Sequence, residues 1–257
     1  MKKVLALAAA AAITLAAGAA QAGSHALRIG TEGAYPPFNN LTADGKLVGF
    51  DIDIAKALCA EMKVECTFVT QDWDGIIPAL QAGKFDAIIA SMSITEERRK
   101  KVDFTDKYYN TPPAMAVPKD SDLTEISAAA LSGKAIGAQG STTHSNHAEA
   151  TFTDSDVRLY PTADEYKLDI ANGRLDAVVD DVTVLLEWLE TDDGACCKLL
   201  GTIKPVEEIH GLGAGIAVRK GETELAAKFN AAIKAIRANG VYKSINDKYF
   251  TFDAYGG

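Results

Sequence analysis

Cations are scarce in this chain of 257 residues: Lys and Arg total 26 against 35 acids, a formal net charge of −9. That balance argues against a polyphosphate partner, so a nucleic-acid role is excluded. Cysteine is also sparse, with four in all. None stands in a Cys-x-x-Cys pair, so a structural zinc site is not expected. Long apolar runs are missing beyond the first residues. No segment after residue 22 approaches 18 apolar residues, which excludes a membrane-spanning helix there.

The one long apolar run lies at the start. Lys2 and Lys3 precede Val4–Ala20, and Ala20-Gln21-Ala22 is a small-x-small cleavage signal. Residues 1–22 therefore read as a secretory signal peptide cut after Ala22. Export makes the even cysteine count meaningful. Cys59 and Cys66 flank a helix-to-strand turn, and a disulfide is expected between them. Cys196 and Cys197 are adjacent; a strained vicinal disulfide and two free thiols both remain open. His144 and His147 are read as surface residues of a helix, not as metal ligands.

Two pairs of segments repeat in the same order. Ile29-Gly30-Thr31-Glu32-Gly33 parallels Ile136-Gly137-Ala138-Gln139-Gly140. Gly83-Lys84-Phe85-Asp86-Ala87 parallels Gly173-Arg174-Leu175-Asp176-Ala177. Around them short apolar strands alternate with helical stretches, which predicts parallel α/β sheets. The tail after residue 213 has no counterpart in the second half, so the chain is expected to return to the first. This gives a two-lobed α/β fold. Residues 26–111 plus 210–254 form lobe one and 114–206 form lobe two, with hinge crossings near 110–113 and 205–211.

Ligands of open α/β sheets bind beyond the carboxyl ends of strands. The repeat places there Glu32 and Tyr35, Ser91-Met92-Ser93, Ser141-Thr142-Thr143, and Asp180-Asp181. A loop adds Trp73. The basic run Arg98–Lys101 follows Thr95, a candidate N-cap, with Glu96 and Glu97 in the first turn. Arg98 then sits at the positive end of a helix, one turn from Ser93. Its guanidinium fits a carboxylate, helped by the hydroxyls of Ser93 and Thr142. Asp181 fits an ammonium across the cleft; it could instead cap the helix it begins, which does not exclude binding. Such a pair calls for an α-amino acid zwitterion. Glu32 and Asp180 favour a second positive charge, with Tyr35 and Trp73 flanking its stem.

These residues stand in RIGTEGAYPPF, GFDIDIAKALC, DWDGIIPAL, FDAIIASMSIT, GAQGST, GRLDAVVDD and KYFTFDAYG. In them the chain resembles the periplasmic amino-acid-binding proteins of ABC importers, most closely the lysine/arginine/ornithine- and histidine-binding branch. The resemblance implies a fold that closes on its ligand like a flytrap, and a ligand-binding role without catalysis or cofactor. It assigns Arg98 to the ligand carboxylate, Asp181 and Ser91 to the α-ammonium, and Glu32 to the distal cation. Tyr35 and Trp73 stand at its stacking positions, and Cys59–Cys66 at its disulfide. The chain departs from that branch at Ala90 (serine there), Ala138 (leucine), Thr143 (glutamine) and Asp180 (glutamine). Those changes leave a roomier wall that would also suit an opine.

The implied partners are an amino acid and a membrane permease, with the protein a periplasmic monomer. Two further readings are an enzyme like cyclohexadienyl dehydratase, with Glu32 or Asp180 as general acid, and a sensory ligand-binding domain.

Overall fold

The structure is a computed structural model that describes residues 26–256. The signal-peptide reading of residues 1–22 lies outside the described residues. Among the described residues the strands form three sheets.

The first sheet has the order β5-β1-β6-β13-β7, built from β1 (Leu27–Thr31), β5 (Cys66–Thr70), β6 (Ala87–Ile88), β7 (Val102–Tyr109) and β13 (Ala214–Arg219). The second has the order β10-β9-β11-β8-β12, from β8 (Pro113–Pro118), β9 (Ala135–Gln139), β10 (Asp156–Tyr160), β11 (Ala177–Asp181) and β12 (Cys197–Thr202). In each, three parallel strands are followed by one antiparallel to them. A small sheet of β2 (Ala34–Tyr35), β3 (Asn39–Leu41) and β4 (Leu47–Val48) sits on the first.

The internal repeat has a physical basis. Ile29 pairs with Ala87 in the first sheet, and Ile136 pairs with Ala177 in the second. Asp86 accepts the Arg28 amide N–H at 3.0 Å, and Asp176 accepts that of Ala135 at 2.8 Å. Each aspartate thus caps the start of the neighbouring strand. Gly30 and Gly137 answer a steric demand. A Cβ on Gly30 would lie 2.5 Å from the Phe85 ring, and one on Gly137 2.5 Å from a Leu175 methyl. The large side chain after each turn packs over the glycine of the first strand.

Helices cover both faces of the sheets: α1 (Phe50–Met62), α2 (Trp73–Gln81), α3 (Glu96–Arg99), α4 (Ala128–Leu131), α5 (Thr143–Thr151), α6 (Ala163–Ala171), α7 (Val182–Leu189), α8 (Glu207–His210), α9 (Thr223–Ala238) and α10 (Val241–Tyr249). Helix α1 ends at Lys63 in the left-handed conformation, and the Cys59–Cys66 disulfide ties its last turn to β5. Cys196 and Cys197 are free thiols.

The chain passes between the two large sheets twice, from β7 to β8 and from β12 to β13. The crossings lie side by side, since the Ile203 amide donates to the Pro113 carbonyl at 2.7 Å. One apolar core runs through the molecule, joining Tyr35, Phe38 and Tyr109 of the first lobe to Ala114, Tyr166 and Val178 of the second.

Candidate functional site

The carboxyl ends of β1, β6, β9 and β11 meet between the lobes. Equivalent positions of the repeat touch across the cleft: the Gln139 side-chain amide donates to Glu32 Oε1 at 2.6 Å. Burial pushes Glu32 up to about 7, with Asp180, Asp164 and Asp72 adding to the rise and the Gln139 bond opposing it. Here a carboxyl is held close to half-ionised until a cation reaches it.

Arg98 sits where Thr95 turns the chain into α3; the Thr95 hydroxyl accepts the Arg98 amide at 3.2 Å. Its guanidinium spans the lobes, donating to the carbonyls of Ser93 and Ser141 at 3.1 Å each. It lies 5.2 Å from the Trp73 ring centroid. Burial lowers Arg98 to about 10, so it remains a cation at neutral pH. Two of its five N–H groups serve those carbonyls, and the rest can serve an anion. Trp73 lies at the cleft edge, half-buried, and donates its indole N–H to the Ser141 carbonyl at 3.1 Å.

One cavity is lined by Glu32, Tyr35, Ser91, Arg98, Thr142 and His144. A second, toward the crossings, is lined by Asp181, Thr111, Tyr109 and His210. The two share Tyr35, Ser91, Ser93, Thr143 and His144 as walls, so the cavity that Arg98 lines adjoins the one that Asp181 lines. Asp181 does cap α7, accepting the Thr183 amide at 2.8 Å, and it accepts the Thr111 hydroxyl. Desolvation raises it from the ordinary carboxylate range.

Several expected residues have other surroundings. Met92 is fully buried among Ile76, Leu80 and Phe85 in the first-lobe core. Ala138 is also fully buried, and the cavity wall begins one residue later, at Gln139. Ser141 offers its carbonyl to Trp73 and Arg98. The Thr142 hydroxyl caps α5, accepting from the Ser145 amide at 3.0 Å and donating to the Gln139 carbonyl at 2.7 Å. The surface reading of His144 and His147 is corrected. His147 is 5% exposed and its ring centroid is 5.0 Å from that of His210. His144 is largely covered and faces the cleft. Helix α5 packs on the second sheet and on α8, which buries its polar residues Thr143, Ser145 and His147 and leaves Asn146 and Glu149 exposed.

Asp51 escaped the sequence reading as a site residue. It is fully buried under the site and accepts from the Ser91 hydroxyl at 3.0 Å, Tyr108 at 2.7 Å and Asn39 at 2.9 Å. Desolvation pushes it up to about 6. It turns the Ser91 proton inward and leaves that oxygen's lone pairs toward the cavity. Ser91 itself sits at φ 55°, a conformation costly for a non-glycine residue.

Residues 27–252 match the bacterial extracellular solute-binding proteins, family 3. The chain belongs to that family. An L-arginine-binding protein of Pseudomonas aeruginosa is 50% identical to this solute-binding protein over 233 residues, 90% of each chain. An ancestral arginine-binding protein bound to arginine is similar in structure, with TM-score 0.81 and 41% identity over 88% of this chain and 98% of that one. An ancestral amino-acid-binding protein, a precursor of cyclohexadienyl dehydratase, has TM-score 0.78 and 34% identity over 88% and 95%.

Proposed function

We propose that this protein is an extracytoplasmic receptor that captures a basic amino acid between its lobes and hands it to the permease of an ABC importer. The observation that carries the reading is the adjacency of two cavities, one lined by Glu32 and Arg98 and the other by Asp181, which share five wall residues. In this reading Arg98 and the Ser93–Thr143 rim receive the α-carboxylate. Asp181 and Ser91 receive the α-ammonium. Glu32 receives the distal cation, with Tyr35 and Trp73 along the stem. The balance of charge supports this. A zwitterion's two ends neutralise Arg98 and Asp181, and a cationic side chain neutralises Glu32. Buried charge left unpaired is costly, so a guest lacking the third charge is disfavoured. The relatives that bind arginine by name fit the same reading.

Delivery requires a partner that distinguishes the closed form. Trp73 and Glu97 of the first lobe share one groove with Ser141 and Glu149 of the second, a surface that depends on closure. A monomeric periplasmic protein, exported by a leader cut near Ala22, fits that task.

A thermal-shift screen tests the reading. Arginine, lysine, ornithine or histidine should raise the melting temperature at millimolar concentration more than glutamine does, and octopine and nopaline test the longer-ligand alternative. Stabilisation by neutral amino acids alone would refute the role given to Glu32. The alternative of an enzyme draws on Glu32, whose proton is available near neutral pH. Incubation with arogenate should yield no phenylalanine; turnover would replace the receptor reading.

A further inference from the structure

Asp180 and Asp181 are consecutive on β11 and so face opposite sides of the sheet. Asp181 meets the crossing at Thr111. Asp180 is 1% exposed and is met by groups from four elements, three of which donate hydrogen bonds to it. Its Oδ1 accepts from the Tyr35 hydroxyl and from the Asp181 amide at 2.6 Å, and lies 3.4 Å from His144 Nε2. Its Oδ2 accepts from the Tyr166 hydroxyl. Burial holds both phenols well above their ordinary range, so both donate and the partner must accept. A side-chain amide at this position would offer one oxygen where the carboxylate offers two. Tyr35 belongs to the first lobe, on β2, while Tyr166, His144 and Asp180 belong to the second. The Tyr35 contact therefore exists only while the lobes are together.

We propose that Asp180 is a positioning residue: it latches the Tyr35 ring of the first lobe to the second lobe, so that this wall of the cavity is fixed as the cleft closes. The inference rests on the reading that the lobes close on an amino acid with Tyr35 against its stem. Asp180 would not touch that ligand. It acts through the tyrosine, and its carboxylate is what this chain has in place of the glutamine common in the branch it resembles.

The test combines calorimetric titration of L-arginine with the fluorescence of the ligand-free protein, for Asp180→Asn, Tyr35→Phe and the double variant. Trp73 reports closure, because its indole N–H bonds Ser141 across the cleft. Trp188 is buried in the second-lobe core and gives a constant background. Each single variant should weaken arginine binding about tenfold and shift ligand-free emission to the red, and the double variant should be no worse than either. Wild-type emission and affinity in both single variants would overturn the latch, as would losses that multiply to about a hundredfold in the double. Tyr35→Phe removes a single hydroxyl and carries the test if Asp180→Asn does not fold. If the wild-type protein ignores arginine, the functional reading fails, while the emission of the ligand-free variants still decides the latch.

Discussion

In the proposed reading, Glu32 is a single buried group that ties ligand choice to pH. Its carboxyl is held near 7, so it is largely neutral in the ligand-free cleft below that value. A cationic side chain needs the ionised form. Affinity for arginine should therefore rise as pH goes from about 5.5 to about 8, then level off. Glutamine, with no distal charge, should show no such rise. Calorimetry at several pH values checks this, and Glu32→Gln should flatten the arginine profile. The same group affects stability with the opposite sense. A raised acid binds more protons in the native state than in the unfolded one, so stability falls as pH rises between the two values. For Glu32 that window runs from about 4.5 to about 7, and for Asp51 from 3.8 to about 6. Glu32→Gln should recover on the order of 2 kcal/mol at pH 8 in denaturant titrations of the ligand-free protein. Asp51 was hidden from the sequence reading for a plain reason. An acid in the first turn of a helix is what the macrodipole favours at any surface, and only the fold places Ser91 and Tyr108 on top of it.

At the scale of elements, the amphipathic helices and the parallel strands were legible because each has one dominant period. The missing pieces lacked it. Strands β2, β3 and β4 are two or three residues long. Strand β8 opens with a proline and is almost wholly buried, so it shows no alternation. Helix α5 is itself expected from the sequence, but its burial is not: THSNHAEAT is a polar string, yet packing on α8 and the sheet buries Thr143, Ser145 and His147. That enclosure has a consequence at low pH. Burial lowers His147 and takes His210 down to about 4. A lowered base binds fewer protons in the native state, so its contribution is present above about 6.5 and is lost as pH falls toward 4. His210→Gln should lessen the acid loss of stability, and urea titrations at pH 7.5 and pH 5 measure it. The disulfide is a second element-scale device. It closes a short loop between α1 and β5. Cys59→Ala with Cys66→Ala should cost about 2–3 kcal/mol and lower the melting temperature, since the loop's closure entropy returns to the unfolded chain.

The whole molecule is a duplicated sheet-and-helix unit whose two copies face each other. The order of the repeats and the unmatched tail already pointed to this from the sequence. The meeting of Glu32 with Gln139 did not, because side chains at equivalent positions of a repeat need not touch. Here the cleft brings the two strand ends together. Of the two cavities that adjoin there, one is lined by a guanidinium from the first lobe and the other by a carboxylate from the second. Capture in this account is closure around a dipole whose ends those two groups neutralise. Titration of L-arginine into the purified protein by calorimetry, beside Arg98→Ala and Asp181→Asn, tests it most directly. The account predicts one site per chain and a loss of about a hundredfold or more in each variant, as expected for removing charge-assisted hydrogen bonds from a buried site. Undiminished affinity in Arg98→Ala or Asp181→Asn would contradict it.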